Sequence, residues 1–330
     1  MSFSVFALAA FVFGPGFAQS EGWTLEGVAV NATQNGKPLA GADVILRAGE
    51  EGSLQIVAQT KTDRDGNFIF DKLSARPDLI FVAGVNHHGI HYPGPRMRFP
   101  SSLSPAPRLT AFDVVSSPNP LVADFHEVDV EMNKGTLEVT ENLWINNPSL
   151  TTYVGESRSE SSPTTLSLSI PDGFERVTFN NEFNGRHFKL REKRLVTDIP
   201  WTPGKREVKF TYHLPAEECK RALEWSVNLP CCRFRLCLRG ENVDRFECNL
   251  PRLAGPDQAT VVFESSAPIL PANHTVKLEL GKLPTPWIVY LRWSALAALA
   301  GLILVTGGFL ILRKATSKSA AALPQSTHAA

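Results

Sequence analysis

The chain carries no net charge, with 33 Lys and Arg set against 33 Asp and Glu, so it has no global field to draw nucleic acid or another polyanion. It has no Cys-x-x-Cys pair, no glycine-rich phosphate loop, no Ser–His–Asp order and no pair of catalytic carboxylates. None of its eight histidines has Glu three positions later, and His126-Glu127 is not completed to His-Glu-x-x-His because Val130 holds the last position. That removes the ligand spacing of zinc peptidases. No long apolar stripe of period 3.6 occurs before Trp287, which excludes a helical bundle for the bulk of the chain. Nothing in these patterns calls for an organic cofactor.

What the sequence does contain is alternation of period two, the mark of strands with one face in a core and one in water. Ala42, Val44 and Leu46 follow it, as do Val128, Val130 and Met132, and Leu166, Leu168 and Ile170. Val208, Phe210, Tyr212 and Leu214 continue it, then Leu223, Trp225, Val227 and Leu229, and finally Val276, Leu278 and Leu280. The 24 prolines and 23 glycines are spread through the chain, as many short strands with many turns require. The expected fold class is all-β.

Two apolar runs break this pattern. Phe3 to Phe17 is too short to span a bilayer and ends at the small-x-small triplet Gly16-Phe17-Ala18, so residues 1–18 read as a signal peptide cut after Ala18, although no Lys or Arg precedes the run. Ser294 to Leu312 is free of charge, preceded by Trp287, Tyr290 and Trp293 and followed by Arg313, Lys314 and Lys318. It reads as a membrane-spanning helix with a short cytoplasmic tail, 313–330. The expectation is a single-pass type I membrane protein with its bulk on the extracytoplasmic side. Between these runs, 23–92 forms a first unit. Residues 93–108, rich in Pro and Ser, form a linker. Residues 109–281 form a second β-rich unit, divisible into 109–214 and 222–281.

The first unit contains Gly27-Val28, then Pro38-Leu39-Ala40-Gly41-Ala42, then Thr62-Asp63 with Asp65-Gly66-Asn67-Phe68. As a set these resemble the carboxypeptidase regulatory-like domain, a transthyretin-like β-sandwich. Elementary turn chemistry points the same way. Pro38 and Gly41 mark a turn before a strand, Asp65-Gly66 is a hairpin signal, and Phe68 and Phe70 fall on one face. The remainder resembles a class of membrane-anchored bacterial proteins that join such a domain to a second, Ig-like β-domain. The resemblance rests on Gly135 to Glu141, Asn146-Asn147-Pro148 and Phe210 to Pro215. It implies tandem β-sandwiches and no settled activity.

Candidate chemistry is sparse. His87, His88 and His91, with Met97 and Met132 beyond them, are residue types that suit an exported copper or zinc site. On a single strand His87 and His91 share a face while His88 points away. Asp63-Arg64-Asp65-Gly66 opens like a calcium loop, but Lys72 stands where the closing Glu belongs, which favours a plain hairpin. All five cysteines lie between Cys219 and Cys248. In an exported protein they favour disulfides, Cys237–Cys248 first and Cys219–Cys231 next, with Cys232 on the apolar face and unpaired. Asn31-Ala32-Thr33 and Asn273-His274-Thr275 fit the glycosylation sequon. Arg186 to Arg239 is locally basic, with 13 Lys and Arg against six Asp and Glu, which solvated strand faces or contact with anionic headgroups explain. The functional expectation is a non-catalytic envelope protein that binds or scaffolds a protein or carbohydrate. The alternative is a metal-handling or thiol-active accessory factor.

Overall fold

Trp23 and Leu25 alternate with exposed Thr24 and Glu26, and with Ala29 they give the first strand, β1 (Trp23–Asn31), its buried face. It is followed by β2 (Lys37–Pro38), β3 (Asp43–Gly49), β4 (Gln55–Lys61), β5 (Asn67–Leu73), β6 (Ile80–His87), β7 (Ile90–Arg98) and β8 (Arg108–Ala111). The structure, a computed structural model, describes residues 22–74, 76, 78–98, 106–133, 136–156, 163–179, 187–215, 222–240, 243–256, 259–279, 291 and 293–306. β1 pairs antiparallel with β2 and β5 and parallel with β8. A second sheet has the order β4-β3-β6-β7. Both sheets feed one apolar cluster, with Leu25, Phe68 and Leu109 from the first and Val44, Leu46 and Val85 from the second.

The turn before β5 forms where its sequence predicts, but it is not the expected hairpin, because β4 and β5 lie in different sheets. Asp63 accepts hydrogen bonds from the backbone N–H of Asp65 and Asn67 and from the Asn67 side chain. Its carboxyl is thereby held below the ordinary range, with the Asn67 side chain contributing most. A carboxylate occupied in this way braces the turn that carries the chain from one sheet to the other. Gly66 has φ of +79°, and a Cβ there would lie 2.6 Å from the Ala29 carbonyl oxygen, so only glycine fits.

The next strands are β9 (Val114–Val115), β10 (Val122–Asn133), β11 (Thr136–Asn147), β12 (Thr152–Tyr153), β13 (Leu166–Ser169), β14 (Glu175–Phe179), β15 (Lys189–Arg191) and β16 (Arg194–Thr197). β17 (Gly204–Pro215), β18 (Ala222–Val227), β19 (Phe234–Arg239), β20 (Glu247–Cys248), β21 (Arg252–Leu253), β22 (Thr260–Glu264) and β23 (His274–Glu279) complete them. A seven-stranded sheet runs β14-β17-β11-β10-β19-β22-β21, beside the smaller sheets β13-β16-β15 and β18-β23-β20. Their inward faces form one larger core that includes Val128, Phe210, Trp225, Phe234 and Leu278. Strands from 222–279 therefore complete the core begun at Leu121.

Several expectations are corrected. β7 runs through Pro93, Gly94 and Pro95 to Arg98, so the first part of the expected linker is strand. β7 is a sheet edge, where a proline's missing N–H breaks no ladder. Leu109 and Ala111, expected to open the second unit, are fully buried in the smaller core through β8. The C-terminal helix is described at 291 and 293–306, and among the described residues no helix is long and apolar enough to cross a membrane. This overturns the single-pass placement expected for 294–312. Residues 1–18 and 313–330 lie outside the described residues.

Candidate functional site at the turn between β6 and β7

The histidines fall at a hairpin. β6 and β7 pair His87 with Ile90 and Asn86 with His91, leaving His88 and Gly89 as a two-residue turn. Both turn residues have positive φ, 49° and 77°, the pattern of a type I′ turn. Two consequences follow. The left-handed step at His88 brings consecutive side chains together, with the rings of His87 and His88 4.0 Å apart. The chain reversal puts His91 opposite Asn86, and so on the other face from His87. The sequence reading missed both effects because it treated 87–91 as one strand.

Asp113, between β8 and β9, completes the group. Its Oδ1 lies 3.1 Å from His87 Nε2 and 3.6 Å from His88 Nε2. Asn31 Nδ2 donates to the same oxygen at 2.6 Å, and Gln34 Nε2 donates to Oδ2 at 3.1 Å. The Asp113 backbone N–H donates to Thr33 Oγ1 at 2.9 Å. Hydrogen bonds from Gln34, then His87, then Asn31 hold the Asp113 carboxyl at about 2. Asn31, part of the first sequon, is buried and committed to Asp113, which removes it as an exposed glycan acceptor. One potential ligand atom from each of His87, His88 and Asp113 lies within 4.8 Å of the others.

His91 stands apart. Arg47 donates to its Nε2 at 2.8 Å, so Nδ1 carries the proton and donates to Asn86 Oδ1 at 2.8 Å. Burial first, and the Arg47 charge second, lower its pKa. Both ring nitrogens are occupied, and His91 belongs to no shared ligand set with His87 and His88.

The cysteines also depart from expectation. Cys231, Cys232, Cys237 and Cys248 are free, and Cys219 lies outside the described residues. The expected Cys237–Cys248 bridge is not formed: Cys237 lies on β19 in the seven-stranded sheet and Cys248 on β20 in another, and both thiols are free. Nor does the alternation reach back to residue 231. A bend at Cys232 precedes β19, so Cys231 is buried and Cys232 exposed, the reverse of the expected phase. Burial pushes the Cys231 thiol up to about 11 and the Cys237 thiol up to about 12.

Three further features are built from side chains. Inside the larger core, His126 Nε2 lies 2.9 Å from Glu141 Oε2, Tyr212 donates to Glu141 Oε1 at 2.7 Å, and Trp225 Nε1 donates to the Tyr212 oxygen at 2.9 Å. On the other face of the seven-stranded sheet, Phe125 stacks on Trp144 while the Arg233 and Arg235 guanidinium groups sit 4.3 and 5.2 Å from the Phe125 ring centre. A bulge at Asp124 sets Phe125 opposite Trp144. An open groove of about 520 Å³ is lined by Tyr153, Glu156, Thr165, Arg194 and Asn228, among others. Arg194 is already committed there to Ser167 and Ser169.

No family model matches the chain, and no curated protein matches it. Solved structures similar to part of it include native yeast LTA4 hydrolase, at 11% identity and a TM-score of 0.31, over 50% of this chain and 30% of that one. Aminopeptidase A of Legionella pneumophila, in complex with aspartic acid, matches at 11% identity and a TM-score of 0.35, over 51% of this chain and 22% of that one. The chain thus spans less than a third of the length of either structure.

Proposed function

We propose that this protein is a non-catalytic binding or scaffolding protein, built of tandem β-sandwiches, that recognises an extended segment of a protein partner along the free edge of β4. The observation that carries this reading is the edge itself. Among the described residues β4 pairs with β3 on one side only and ends its sheet. Its Ile56 and Val57 are each 52% exposed. Within Gln55–Lys61 the one charge is the terminal Lys61. Soluble sheets usually guard such an edge with charge, proline, a bulge or a covering element; β4 carries a bulge at Val57 but no proline and no charge before Lys61, and an edge so lightly guarded suits strand addition.

The sandwich reading of the first unit draws support from the regulatory-like motifs at Gly27, Pro38 to Ala42 and Asp65 to Phe68. The non-catalytic part rests on the sequence, which lacks a His-x-x-Glu or His-Glu-x-x-His set. A metal-handling role, the second reading, is favoured by a separate observation, the convergence of His87 and His88 on Asp113. Selection of binders from a displayed library of extended peptides tests the first reading. Selected peptides are expected to lose at least tenfold in affinity on Ile56→Lys with Val57→Lys, while the fold is retained. Binding that survives both substitutions, or selection of glycans and not peptides, rejects recognition at this edge.

A further inference from the structure

We propose that His87, His88 and Asp113 form a site for one divalent late first-row transition metal, Zn²⁺ being the probe. The inference is independent of strand addition at β4.

The geometry comes close to what such an ion needs. Ligand atoms about 2.0–2.2 Å from a tetrahedral zinc lie about 3.3–3.6 Å from one another. Asp113 Oδ1 is 3.1 Å from His87 Nε2 and 3.6 Å from His88 Nε2. The whole set fits within 4.8 Å, so small ring rotations would bring all three atoms to bonding distance. Two imidazoles and one carboxylate are a borderline donor set that selects zinc and its neighbours over Ca²⁺ and Mg²⁺. Three protein ligands leave a fourth position to water. His88 is half exposed while His87 and Asp113 are shielded, so the open side faces solvent.

The surroundings point the same way. A ligand carboxylate works best when its orientation is fixed by further hydrogen bonds. Here Asn31, Gln34 and the Thr33 hydroxyl grip Asp113 from both oxygens and from its backbone. The turn supplies the rest, because only a left-handed residue at position 88 swings its ring beside that of its predecessor.

The location gives the ion a structural consequence. Asp113 sits on the segment that leaves the smaller core at β8 and enters β9, which pairs with β12. Thr33 of the first unit also donates to the Leu150 carbonyl, and Tyr92 hydrogen-bonds Phe112 and Thr152. A metal on His87, His88 and Asp113 would therefore tie the β6–β7 hairpin to the strap between the two cores.

Titration calorimetry of the full chain with Zn²⁺ tests this. One ion is expected to bind with a dissociation constant on the order of micromolar or tighter, and Ca²⁺ at millimolar levels is expected not to compete. His88→Asn keeps the left-handed turn, and Asp113→Asn keeps the shape of the carboxylate. Each is expected to weaken Zn²⁺ at least tenfold, and Gln34→Ala by about tenfold through the loosened Asp113. His91→Ala is expected to leave binding unchanged. Thermal melting of each variant without metal separates misfolding from loss of the site. Binding unchanged by Asp113→Asn and His88→Asn in folded variants, or lost with His91→Ala, would overturn the proposal.

Discussion

Glu141 is a carboxylate inside an apolar core, and its two oxygens are taken by His126 and Tyr212. An arrangement of this kind is held together by mutual dependence. Removing one partner strands the others without water, at about 3–5 kcal/mol, whereas replacing the set with apolar groups of similar size is close to neutral. Glu141→Leu alone is therefore expected to cost about 3–5 kcal/mol in chemical denaturation. Adding His126→Leu should recover part of that loss, with a coupling energy of roughly 1 kcal/mol or more. Simple additivity would refute the coupling. The thiols give a second test. Burial holds Cys231 near 11 and Cys237 near 12. Little reactive thiolate therefore exists at pH 8, and its fraction rises about tenfold per pH unit until the pKa is reached. Cys232, exposed at its bend, should alkylate first at pH 8, with Cys231 and Cys237 at least tenfold slower in peptide-resolved mass spectrometry. Equal rates would contradict the burial assigned to them.

At the scale of the element, the period-two pattern was a sound guide wherever a strand was long and one face met a core. Val208, Phe210, Tyr212 and Leu214 are all fully buried on β17, as their spacing predicts. It failed where local chemistry overrode the period. Prolines 93 and 95 signal a break, yet edge position lets β7 keep them. A two-residue turn hidden inside His87 to His91 moved His91 to the wrong face for metal binding. His126 and Glu141 were legible in principle, since each stands two residues from a core valine, Val128 and Val139, on the same alternation. Asp113 was not, because only packing between separated strands brings it to His87 and His88. The turn before β5 offers a direct prediction. Gly66→Ala places a methyl group against the Ala29 carbonyl at a left-handed position, so a loss of about 1–3 kcal/mol is expected in thermal or urea unfolding. A neutral result would show that the β1–β5 pair can shift to admit it.

For the whole molecule, the decisive feature is division of labour between the two cores. The larger core closes its polar interior with its own tyrosine and tryptophan, and its outer face is capped by arginines lying over Phe125. The smaller core leaves β4 open at one edge and gathers His87, His88 and Asp113 at its junction with the strap. We propose recognition at β4 and metal-dependent stiffening at the junction. Backbone amide hydrogen exchange on the full chain, with and without a peptide selected for binding, is the most direct measurement of this division. Protection is expected to rise across Gln55–Lys61 and in the facing β3, with β13 and β16 around the Arg194 groove unchanged. Protection confined to that groove or to the Phe125–Trp144 face, with β4 unaltered, would contradict the account.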